Sequence, residues 1–95
     1  MSPEELNVVL AEVDSRVRTS IQENERRGNF DRRDVNGMLG HVNKSLYRML
    51  QKDATRDIVL RECIDAMVYL VGIYAIRREL YGERGFHAKP LQDQS

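Results

Sequence analysis

The chain has 95 residues, with fifteen lysines and arginines balanced by fifteen aspartates and glutamates. That length allows one small domain, near the size where a single core yields only ~3–5 kcal/mol of net stability. A zero formal charge excludes the strong field that draws a protein to nucleic acid or to a membrane surface.

Pro3, Glu4 and Glu5 stand where a secretory leader would need a basic start and an apolar run. The first helix is predicted from Pro3 to about Arg27. Ser2 is a suitable N-cap, Pro3 fits the first helical position, and Glu5 completes a capping box with Ser2. Leu6, Val9, Leu10, Val13, Val17 and Ile21 then recur at helical spacing, and Gly28 is a natural stop.

The second helix is predicted over about 32–52, opened by Asp31 with Asp34 in its first turn. Its apolar stripe is Val35, Met38, Leu39, Val42, Leu46, Met49 and Leu50. Gly37 and Gly40 inside it cost up to ~1 kcal/mol each relative to alanine. They imply close backbone packing or a ligand against the helix.

The third helix is predicted over about 55–81, capped by Asp53 or Thr55 and stopped by Gly82. Leu60, Cys63, Ile64, Met67, Val68, Leu70, Val71, Tyr74 and Ala75 spread over roughly 220° of its wheel, where a surface helix needs little more than about 100°. The excess requires a partner, and a second copy of the chain is the simplest one. Leu60, Ile64, Val68, Val71 and Ala75 are expected at the subunit contact, with Cys63, Leu70 and Tyr74 packed on the first two helices.

The uncharged run Ala66–Ile76 is eleven residues, against about 20 for a membrane span. Residues 83–95 read as a loose tail that Phe86 or Leu91 ties to the body. The fold expected is therefore all-α, a three-helix up-down-up subunit (residues 1–82) of a helical-bundle homo-oligomer, soluble and cytoplasmic. Cys63, the sole cysteine, reads as a small buried hydrophobe.

No metal or nucleophile pattern is present, and His41 and His87 have no partner at ligand spacing. No catalytic residue, metal or cofactor is expected. The string from Glu62 to Leu70 resembles the second acidic motif of MazG-type nucleotide pyrophosphohydrolases. That resemblance implies an all-helical, oligomeric Mg²⁺ enzyme with an ExxE on one helix and an ExxD, here Glu62 and Asp65, on the next. It covers about nine residues. Asn36–Met49 contains no carboxylate, so the two helices do not complete a four-carboxylate site. Glu62 and Asp65 otherwise read as a solvated stripe, with Arg56 and Arg61 as ion partners.

Two binding surfaces are expected. Asn36, Gly40, Asn43 and Tyr47 share one flank of the second helix and, facing Glu62, Asp65 and Tyr69, would enclose a cleft for a small polar ligand. Arg26, Arg27, Arg32, Arg33, Arg77 and Arg78 collect at one end of an up-down-up bundle, suited to phosphates or an acidic protein. Arg84 joins them there, and interspersed carboxylates would neutralise much of the patch. The function expected is a small non-enzymatic module that binds or inhibits another macromolecule. Its partners are a second copy and another protein, with neither membrane nor general nucleic acid. The alternative is a nucleotide-binding or MazG-like relative with an incomplete acidic site.

Overall fold

The computed structural model describes residues 1–28 and 35–81, with side chains through Arg78. It contains three packed helices, α1 (Pro3–Arg26), α2 (Val35–Met49) and α3 (Arg56–Tyr81), and no strand among the described residues. The expected tail, with Phe86 and Leu91, lies outside those residues. So do Asp31, Arg32, Arg33, Asp34, Gly82, Arg84 and His87.

Local chemistry sets the helix ends. The Glu5 amide donates to Ser2 Oγ at 3.1 Å, and the Ser2 amide donates to Glu5 Oε1 at 2.7 Å. Two orphan amides of the first turn are thereby satisfied. An Arg18–Asp14 pair at 2.8 Å supports the middle of α1. Gly28 closes it with φ of 74°, a left-handed conformation that glycine adopts without a Cβ penalty.

α2 ends at Met49, three residues before the expected 52. The Leu50 amide is shared between the carbonyls of Leu46 (3.2 Å) and Tyr47 (3.1 Å), which tightens the last turn. Thr55, rather than Asp53, caps α3 by accepting from the Ile58 amide at 3.2 Å.

α3 lies in the middle. It packs on α2 and on α1, and α1 and α2 do not pack on each other among the described residues. Arg48 meets Glu62, Met49 meets Cys63 and His41 meets Tyr69, so α2 runs antiparallel to α3. Ser15–Ser20 share a groove with Arg61–Asp65, and Asn24 and Arg27 share another with Val68 and Tyr69, so α1 runs parallel to α3. This is the expected up-down-up order.

The register explains why the start of α1, a helix that buries no residue, is exposed. Counted back along the parallel pair, Leu10 is level with the start of α3 at Arg56, and Leu6 lies about 6 Å beyond it. The first turns of α1 overhang the hairpin, leaving Leu6 44%, Val9 41% and Leu10 55% exposed. The buried apolar set is small: Met38 and Val42 from α2, with Ile64, Ala66 and Val68 from α3.

Gly40 corrects the expectation of close packing. It is exposed, and a Cβ built there meets nothing within 4 Å. Gly40→Ala should therefore raise stability by roughly 0.5–1 kcal/mol, from helix propensity alone. Urea denaturation, with an unchanged m-value, checks this.

Candidate functional site

Glu62 is the most buried ionisable group described, at 1% exposure. Sequence periodicity assigns it to a solvated stripe, and the structure turns that stripe inward against α2. Arg48 Nη1 donates to Glu62 Oε2 at 3.4 Å, and Arg61 Nη2 approaches the same oxygen at 3.8 Å. Arg48, not Arg56, is thus the partner beside Arg61. Glu62 Oε1 is buried without a hydrogen-bond partner in the structure.

Asp65, one turn on, is half-buried. Its carboxyl is pushed above the ordinary carboxylate range by loss of hydration and then by the charge of Glu62. Cys63, a half-buried free thiol, lies 3.5 Å from the Met49 sulfur.

Because α1 and α2 do not meet, a cleft opens between them with α3 as its floor. Its volume is about 410 Å³. α1 supplies Asn24 and Arg27, α2 supplies His41, Lys44, Ser45 and Arg48, and α3 supplies Asp65, Val68 and Tyr69. Arg27 is paired with Glu23 at 3.2 Å, and Asn24 Nδ2 donates to the Ser20 carbonyl at 2.8 Å. Lys44 has no carboxylate partner among the described residues. The His41 and Tyr69 rings are stacked, with centroids 4.5 Å apart and planes 5° from parallel. A second cavity of about 280 Å³ lies between α1 and α3, with Asp65 lining both.

This is not the cleft read from the sequence. Asp65 and Tyr69 reach it, but Asn36, Asn43 and Tyr47 are exposed and do not line it. They project from roughly the opposite side of α2, as the helical repeat of about 100° per residue requires. Glu62 lies behind the wall, bound to Arg48. The cleft is cationic rather than neutral-to-acidic, with three basic side chains to one carboxylate at its lining.

The arginine end is divided as well. Arg26 and Arg27 pair with Glu23, and Arg27 faces the cleft. Arg77 and Arg78 lie more than two turns past Tyr69 along α3, about 12 Å further on.

The subunit-contact flank also shifts. Ile64 (6% exposed) and Val68 (1%) are covered within one chain. Leu60, Val71 and Ala75 stay exposed, joined by Met67, Leu70 and Tyr74. Leu70 and Tyr74 therefore do not pack on the first two helices as expected. α1 reaches one side of α3 and α2 takes the polar side, which leaves the stripe between them uncovered.

Among the described residues no group of three or more His, Cys, Asp or Glu side chains is placed to hold a metal ion, and no helix is long and apolar enough to cross a membrane. No family of known proteins, no curated protein and no solved structure matches the chain.

Two variants probe the buried charges. Arg48→Met should destabilise by on the order of 2 kcal/mol, because it removes the nearer partner of a carboxylate that water cannot reach. Arg48→Met with Glu62→Leu should recover most of the loss in a double-mutant cycle. For Asp65 the folded-state affinity for a proton exceeds the unfolded one. Its contribution is fully favourable below the ordinary aspartate value of 3.8 and is lost as pH rises through the raised folded value. Asp65→Asn should then stabilise the protein at neutral pH, and the advantage should vanish in acid; melting curves across pH test the sign.

Proposed function

We propose that the chain is a non-enzymatic helical interaction module that self-associates and binds a macromolecular partner through the assembled bundle. One observation carries the reading. α3 keeps a charged carboxylate inside and turns an apolar stripe outward: Leu60 43%, Met67 37%, Leu70 48%, Val71 45% and Tyr74 70% exposed. Side chains of this size contribute about 1.5–3 kcal/mol each when moved from water to a packed interior. Leaving the stripe in water forgoes a sum comparable to the whole stability of a small domain.

The occupant of that stripe is a second copy of the chain. The same chain carries a complementary unpartnered surface, the overhanging Leu6, Val9 and Leu10 of α1, together with the α2 flank of Leu39 (42% exposed), Leu46 (46%) and Leu50 (81%). A symmetric pair can bury one surface on the other, and a stable interface takes ~800 Å² per partner.

Analytical ultracentrifugation tests this directly. The wild-type chain should sediment as a dimer or larger symmetric oligomer at tens of micromolar. Val71→Asp should dissociate it by burying a charge at the contact. Val71 is exposed within one chain, so the variant has little internal packing to lose. A folded wild-type monomer, or a variant that associates as the wild type does, overturns the reading.

A further inference from the structure

The cationic cleft carries chemistry that self-association does not use. Arg27 comes from α1 and Lys44 and Arg48 from α2, and all three line one cavity. Lys44 is without a carboxylate partner among the described residues. Among the described residues Arg27 is paired to a part-exposed glutamate on its own helix, a weak solvated pair that an incoming anion can replace. Arg48 holds Glu62 at 3.4 Å, longer than the ~2.7–2.9 Å of a committed charge-assisted bond, and its side chain is 59% exposed. Its remaining guanidinium donors are in reach of a ligand.

The wall beside these cations is a preformed ring stack. Tyr69 is half-buried and fixes the inner ring, and His41 is exposed. A planar ligand can extend that stack on the outer face of His41, as bases do on aromatic platforms. The volume of about 410 Å³ falls within the range of small-molecule sites, roughly 300–1,000 Å³. Ser45 and Asn24 add neutral hydrogen-bonding groups at the lining.

We propose that this cleft binds a nucleotide, its phosphates on Lys44, Arg27 and Arg48 and its base stacked on the His41–Tyr69 pair. Both parts are supplied by side chains of one chain, so the site does not depend on the oligomer. Asp65 at the floor disfavours an anion seated deep in the cleft and holds the phosphates toward the exposed Arg27, Lys44 and Arg48.

Isothermal titration of the full chain without Mg²⁺, using adenosine, AMP, ATP and inorganic pyrophosphate, tests it. AMP and ATP should bind, pyrophosphate more weakly, and adenosine weakest. Lys44→Glu should weaken ATP binding at least about tenfold, a loss of one charge-assisted contact with reversal of its sign. His41→Ala should bring ATP and pyrophosphate to the same affinity. Circular dichroism should show both variants as helical as the wild type, since both side chains are exposed. No binding of either nucleotide at millimolar concentration overturns the proposal, as does ATP affinity unchanged in Lys44→Glu. Pyrophosphate binding as tightly as ATP to the wild type overturns the nucleotide assignment in favour of a free-phosphate site. Sedimentation of the same samples, without ligand, reports self-association separately.

Discussion

Taking the Glu62 carboxylate out of water costs several kcal/mol, and the structure meets that cost chiefly with Arg48, from a residue fourteen positions earlier. The meeting of these two side chains goes with one rotation of both hairpin helices. α3 must aim its acidic stripe at α2, and α2 must aim the Ser45–Arg48 side at α3. Met38, Val42 and Ser45 become the buried line of α2 as a result, and Leu39, Leu46 and Leu50 are carried round to the surface. An ordinary amphipathic pair would make the opposite choice and bury the leucines. The hairpin therefore carries an ion pair within an otherwise apolar seam and leaves much apolar surface outside.

That arrangement also produces the cleft. With Arg48 drawn toward Glu62, His41 and Lys44 follow on the same face of α2, because residues three and four apart are neighbours on a helix. His41 is brought onto Tyr69, and Lys44 is brought opposite the C-terminal end of α1. α1 then has only the far side of α3 to pack on. A gap between α1 and α2 is the geometric remainder, and its walls are cationic because the rotation put them there.

The features legible in the sequence are those decided within a turn or two of chain. Ser2 with Glu5, Gly28 and Thr55 each act on backbone groups three or four residues away, so their residue types suffice to place the helix ends. Helix order and the antiparallel hairpin follow from short connections. The facing of α3 was not legible. A wheel ranks faces by apolarity and gives no weight to an ion pair across two helices, so it sends Glu62 to solvent and Ile64 and Val68 to a subunit contact. The cleft left one trace: His41, Lys44, Ser45 and Arg48 stand at i, i+3, i+4 and i+7, a complete helical face. Charge on that face made it look solvated, and Tyr69, its aromatic partner, sits twenty-eight positions away.

The overhang of α1 has a kinetic side. A helix segment with no neighbour to pack on would ordinarily fray, since isolated turns are marginal in water. Here the reciprocal Ser2–Glu5 bonds close the outermost turn, and the helix continues without a break into the part that rests on α3. In the self-association proposed above the arm would reach an encounter already ordered, and docking would not carry the entropy cost of folding it. Protonating Glu5, whose carboxyl the Ser2 contacts hold below its ordinary range, would loosen the tip. That protonation needs acid below the ordinary carboxylate range, so the tip stays closed throughout the mildly acidic range.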